Sequence, residues 1–106
     1  MEPYVKRETH NGITSIEFFH PQSNSLPGKI LEQLAQAIHG AGNDELTKVI
    51  VLLSAGEKAF CAGASFDELI SITDLETGKH FFSGFAGVIN AIRSVPKFVI
   101  VRVHGK

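Results

Sequence analysis

Gly56-Glu57-Lys58-Ala59-Phe60-Cys61-Ala62-Gly63-Ala64-Ser65-Phe66-Asp67-Glu68-Leu69 comes just after the apolar run Val49-Ile50-Val51-Leu52-Leu53. Together they read as a buried strand, a turn of small residues and the start of a helix. The first amides of a helix have no partner inside it, and the dipole there is positive, so such a junction suits negative charge. Ala62, Gly63 and Ala64 carry almost no side chain, which lets a ligand come close to the main chain and use its N–H and C=O groups directly. Ser65-Phe66-Asp67-Glu68 has the Ser-x-x-Glu form of a capping box, with Ser65 as N-cap and Glu68 reaching back from the third helical position. Such a box would hold the Ala64 amide in one direction. A donor aimed in advance stabilises the oxyanion that forms when a thioester carbonyl becomes an enolate or a tetrahedral centre, and deleting one typically costs about 2.7–4 kcal/mol. The plain alternative is a strand-to-helix turn whose small residues serve packing alone.

Outward from this stretch the pattern stays α/β. Tyr4 to Glu8 and Ile13 to Phe19 are predicted strands joined around His10-Asn11-Gly12, because Asn-Gly favours the primed turns of hairpins. Pro27 suits a first helical turn with Ser25 as its N-cap. Ile30, Leu31, Leu34, Ala35 and Ile38 then recur at helical spacing, and the helix is expected to stop near Gly40-Ala41-Gly42. Val49 to Leu53 lacks polar alternation, as a parallel strand covered on both faces does. Thr73-Asp74-Leu75-Glu76 predicts a second capping box, followed by the stripe Phe81, Phe82, Phe85, Val88, Ile89 and Ile92. Gly78 and Gly84 weaken this helix by about 1 kcal/mol each relative to Ala, or permit close packing. Pro96 closes it, and Phe98 to Val103 reads as another buried strand. The order hairpin, helix, strand, helix, strand implies α/β layers with right-handed crossovers.

Lys58-Ala59-Phe60-Cys61-Ala62-Gly63-Ala64 resembles the oxyanion-loop signature of the enoyl-CoA hydratase/isomerase (crotonase) family. Three further stretches fall in that family's order. Pro21-Gln22-Ser23-Asn24-Ser25-Leu26 resembles its Asn-Ala-Leu motif before the first long helix, and Val49 to Leu53 resembles the strand before the loop. Val95-Pro96-Lys97-Phe98-Val99-Ile100-Val101-Arg102-Val103-His104-Gly105-Lys106 resembles its approach to a glycine-rich turn. The resemblance implies a crotonase-like ββα spiral, truncated: residues 1–106 would be the N-terminal portion, less than half, of one domain, with no separate second domain.

It also implies a site. The Ala64 N–H would be one of two oxyanion donors, the Ala62 carbonyl would take the adenine amino group of coenzyme A, and Gln22, Ser23, Ser25 and Leu26 would flank the pantetheine and phosphate end. Gly63, Ser65 and Phe66 complete the expected substrate-binding set. The chain departs from the family in two places. Ser65 stands where many members have Asp, and both are good N-caps. Gln22 and Ser23 stand where many have a basic residue, which leaves Lys6, Lys29 or Lys58 as sources of a phosphate contact. The family's second donor, in a Gly-Gly-Gly turn, and the glutamates that move protons in its hydratases correspond to positions beyond Lys106. Asp67 and Glu68 are nearer acids, read as caps or solvated groups.

Composition narrows the rest. A chain of 106 residues with 43% hydrophobic and 20% charged content and a net charge of −1 reads as a globular domain with no electrostatic footprint for nucleic acid or an anionic membrane. No segment approaches the roughly 18 apolar residues of a membrane span, so a cytoplasmic location is expected. Cys61 is the single cysteine and reads as a small buried hydrophobe. The five histidines show no metal-ligand spacing, and no metal is expected.

By resemblance, the expected function is hydration of a 2-enoyl-CoA, with coenzyme A present only as part of the thioester and no separate cofactor. Isomerase, decarboxylase, dehalogenase and thioester hydrolase chemistries share the loop. The alternative from another class is an inactive fragment or a structural, oligomerising protein. Family likeness implies a homo-oligomer, either a trimer or a dimer of trimers.

Overall fold

A computed structural model describes residues 2–105. The hairpin opens the chain as β1 (Tyr4–His10) and β2 (Ile13–Phe19), two residues longer in its first strand than expected. Asn11 and Gly12 have φ of 52° and 83°, the two positive values that a type I′ turn requires. The register runs from Tyr4↔Phe19 to His10↔Ile13.

Two further elements were not anticipated, the short strands β3 (Ser25–Leu26) and β5 (Gly63–Ala64), which pair with each other in parallel as a separate two-stranded sheet. Between them lie helix α1 (Gly28–Gly42) and β4 (Val49–Ser54). After β5 come the short helix α2 (Phe66–Ile70), the long helix α3 (Leu75–Ser94) and β6 (Phe98–Val101). The main sheet has the order β1-β2-β4-β6, with β2, β4 and β6 parallel. Each parallel step needs a crossover, which α1 and α3 supply.

α1 lies on the sheet and α3 packs against α1. Their shared core takes Ile16, Phe18, Ile50 and Leu52 from the sheet, Ile30, Leu31, Leu34, Ile38 and Ala41 from α1, and Val88 and Ala91 from α3. A Cβ on Gly84 would stand 2.9 Å from Leu31 Cδ1, so this glycine serves the close approach of the two helices. Thr14, completely buried, places its hydroxyl between those of Thr9 (2.7 Å) and Thr47 (2.6 Å), which satisfies a polar group on an otherwise apolar face.

Several expectations change on contact with tertiary structure. Ser25 does not cap α1: it is committed to β3, and Pro27 occupies the N-cap without a side-chain acceptor. The second capping box is one residue later than expected, Asp74 with Thr77, because Thr77 Oγ1 can both accept the Asp74 N–H (3.2 Å) and donate to the Asp74 carboxylate (2.9 Å). β4 is buried on alternate residues only, Val49, Val51 and Leu53 being half-covered. β6 is an edge strand ending at Val101, and its Phe98 is 82% exposed. On α3, Phe82 (68% exposed) and Ile89 (52%) face outward while Phe81 and Val88 are buried, so the apolar stripe is wider than the contact it makes.

Candidate functional site

The loop before α1 is bound to the loop after β4 by one side chain. Asn24, buried, has φ of 60° and follows Ser23 at 56°, two consecutive left-handed residues that cost about 1–2 kcal/mol each outside glycine. Its amide nitrogen donates to the carbonyls of Ala55 (2.8 Å) and Ala59 (2.9 Å), and its Oδ1 accepts the His20 N–H at 2.8 Å. On the main chain, the Asn24 N–H donates to the His20 carbonyl (3.0 Å) and the Asn24 carbonyl accepts the Ala62 N–H (3.2 Å). Asn is the residue type that tolerates this φ and supplies two donors and an acceptor from one amide. Asn24 was legible only as a letter of a motif; its fastening role was missed.

The 55–59 loop that it gathers turns at Gly56, and the His104 ring meets the Gly56 carbonyl at 3.1 Å. Gly105 lies against the Lys58–Ala59 backbone. The far end of β6 therefore comes back to the same loop.

Ala64 ends β5, paired with Leu26, and Pro27, which has no N–H, cannot donate to the Ala64 carbonyl. Among the described residues no turn or cap bond takes the Ala64 N–H. Ala62 and Ala64 are exposed. Gly63 has φ of 99°, and a Cβ there would meet nothing within 4 Å, so glycine answers a backbone need and open space remains beside it.

The expected site residues divide accordingly. Ser25 Oγ donates to the Ala64 carbonyl at 3.0 Å, which ties β3 to β5 a second time. Ser65 is a buried N-cap, its Oγ accepting the Glu68 N–H at 3.3 Å. Leu26 is 3% exposed and spends its side chain in the core, which leaves only its backbone at the loop. Gln22 is exposed, with its N–H on His20 Nδ1 (3.1 Å), and Phe66 is exposed beside the loop. Ser23 and Lys58 line a cavity of about 260 Å³ formed with Phe19, Asn24 and Gly56. Lys29 lines a separate cavity of about 680 Å³ between α1, α2 and α3, with Glu68, Ile72, Thr77 and Phe81. Lys6 sits on β1, 3.9 Å from Glu17, and belongs to neither.

Three features of the sequence reading are corrected by this geometry. α2 has only five residues, too short for the strong dipole that the sequence reading invoked at this junction. The box at Ser65 is half-formed: Glu68 does not return to Ser65 but accepts the Gly28 N–H. Cys61 is partly rather than fully buried, and its sulfur accepts the Gly63 N–H at 3.4 Å. Among the described residues no three His, Cys, Asp or Glu gather as a metal-holding group, and no helix is long and apolar enough to cross a membrane.

Comparison with known proteins adds a second line of evidence. Residues 8–106 match the family model described as enoyl-CoA hydratase/isomerase. The mouse (Mus musculus) protein named enoyl-CoA hydratase domain-containing protein 2, mitochondrial, is 29% identical over 97 residues, 91% of this chain and 32% of its own length. The crystal structure of enoyl-CoA hydratase from Mycobacterium smegmatis superposes with a TM-score of 0.87 at 32% identity, covering 98% of this chain and 41% of that one. That of the enoyl-CoA hydratase from Bacillus anthracis gives 0.86 at 26% identity, covering 95% and 40%. The chain thus spans about a third to two-fifths of the length of the relatives it matches, and its fold is the crotonase fold of those hydratases.

Proposed function

This chain belongs to the enoyl-CoA hydratase/isomerase family, and on that premise we propose that its Ala64 N–H holds the thioester oxygen of an acyl-CoA as that oxygen gains negative charge. The observation that carries the reading is the exposed Ala64 beside an uncrowded Gly63. A ligand can reach main-chain donors there without displacing a side chain. The Ala62 carbonyl would take the adenine amino group, and the Gln22–Leu26 segment, bound to the loop through Asn24, would flank the rest of coenzyme A. Lys58, which lines the smaller cavity, or Lys29, which lines the larger one together with Lys79, would supply a phosphate contact.

The reaction proposed for the whole protein is hydration of a 2-enoyl-CoA. A base takes a proton from water as the water oxygen bonds to C3, the 2,3 double-bond electrons pass into the thioester as an enolate, and C2 then takes a proton from an acid. The Ala64 amide stabilises the enolate oxygen. By resemblance to the family, the second donor and the acid and base would correspond to positions beyond Lys106, and isomerase chemistry shares the same loop. Coenzyme A enters as part of the substrate. A homo-oligomer, a trimer or a dimer of trimers, fits the exposed apolar side chains of β6 and α3. A cytoplasmic location is part of the proposal, and cell fractionation checks it against the mitochondrial address in the mouse relative's name.

Titrating the ¹⁵N-labelled chain with acetoacetyl-CoA tests the core of this reading. Saturable shifts centred on the amides of Gly63, Ala64 and Ser65 are expected. Shifts confined to other parts of the surface, or none at all, would overturn it.

A further inference from the structure

The carboxylate of Glu68 leaves its own helix and accepts the Gly28 N–H with both oxygens, at 3.0 and 3.1 Å, across 40 residues of sequence. Three observations make this contact more than a surface bond. Gly28 begins a fifteen-residue helix whose N-cap, Pro27, offers no side-chain acceptor, so its first amide depends on a group from elsewhere. α2, in contrast, has five residues and buries none of them, well below the length at which a helix persists on its own. Position 28 also leaves little room: a Cβ there would stand 3.0 Å from Glu68 Oε1, so glycine admits the carboxylate. The bond is charge-assisted and lies at the positive end of α1.

We propose that Glu68 is a positioning residue, which anchors α2 to the start of α1 and thereby holds Ala64 N–H in the direction that the thioester contact needs; this rests on the reading of Ala64 given above. The linkage is short. Glu68 N–H binds Ser65 Oγ, Leu69 N–H binds the Ser65 carbonyl at 3.0 Å, and Ser65 is joined directly to Ala64. Release of the Gly28 contact leaves α2 held by its own few bonds, and Ser65, with the Ala64 it is joined to, loses that restraint. Glu68 takes no part in proton transfer in this scheme, since both its oxygens are engaged by the Gly28 amide.

The test follows amide signals in the full chain, with Glu68→Gln and Glu68→Ala beside the unaltered protein. The Gly28 N–H resonance should move markedly in Glu68→Ala and less in Glu68→Gln, which keeps an acceptor oxygen. Hydrogen exchange at Leu69 should accelerate about fivefold or more in Glu68→Ala, as the loss of one capping bond implies, with partial rescue in Glu68→Gln, which keeps an acceptor oxygen. Acetoacetyl-CoA should bind Glu68→Ala about fivefold more weakly, again with partial rescue. A Gly28 N–H resonance unmoved in Glu68→Ala, or unchanged Leu69 exchange in Glu68→Ala, overturns the anchor. Equal acetoacetyl-CoA responses at Ala64 in all three proteins overturn its positioning role alone. No Ala64 response in the unaltered protein overturns the thioester reading on which the proposal rests.

Discussion

The Ser25 hydroxyl donates to the Ala64 carbonyl at 3.0 Å, joining two residues 39 apart in the chain. The bond lies beside the Leu26↔Ala64 pair, so it restrains the peptide between Ala64 and Ser65. Ser25→Ala removes it without touching the core. An exposed neutral bond of this kind contributes about 0.5–1.5 kcal/mol. Chemical denaturation should show a loss toward the lower end of that range, and hydrogen exchange at the Ser65 amide should quicken. Unchanged exchange there would mean that β3 and β5 are held without the hydroxyl.

Asn24 should be among the least replaceable polar residues. Asn24→Ala strands two carbonyls and the His20 N–H and also places a Cβ residue at φ of 60°, for an expected loss of about 3 kcal/mol or more. Asn24→Gly loses the same bonds but accepts the backbone angle, so it should be less destabilised than Asn24→Ala by about 1 kcal/mol. Urea midpoints of the two variants check the order, and the reverse order would show that the backbone angle at 24 carries no cost.

The glycines of α3 separate by what stands over them. A Cβ on Gly87 meets nothing within 4 Å, so Gly87→Ala should stabilise the chain by about 1 kcal/mol through helix propensity alone. Gly84 faces Leu31, and Gly84→Val should destabilise by about 1–3 kcal/mol through overpacking. Thermal melts of both variants read the opposite signs directly.

Asp74 gives α3 a defined pH dependence. Hydrogen bonds from the Thr77 backbone, then from its side chain, hold the Asp74 carboxyl below its ordinary value of 3.8. The folded value lies below the unfolded one, so the contribution is present above the unfolded value and is lost as pH falls through the folded one. The first turn of α3 should therefore fray on acidification below about pH 4, and Asp74→Asn should flatten that part of the stability profile. A profile unaltered by Asp74→Asn would remove the cap from the account.

Legibility followed the range of the interactions. The Asn11-Gly12 turn, the helical stripe from Ile30 to Ile38 and the small residues at 62–64 are local signals, and each lies where it was expected. The capping box at residue 74 was displaced by one because either Thr73 or Asp74 satisfies the local pattern, and only the reach of Thr77 decides between them. β3 and β5 are two residues each, too short for any periodicity to show. The exposure of Phe98 and Phe82 was invisible because an apolar side chain reads alike whether or not a neighbour covers it.

Taken alone, the order of residues determined the α/β succession, the family likeness and the position of a small-residue turn, since each depends on side-chain type at fixed spacing. Only the folded chain decided that Asn24 ties two loops together, that Glu68 serves the wrong helix by local rules, and that the Ser25 hydroxyl reaches the Ala64 carbonyl. Those outcomes are contacts between residues some 30 to 40 positions apart, and which distant partner a polar group finds is settled by where packing of the core places the backbone.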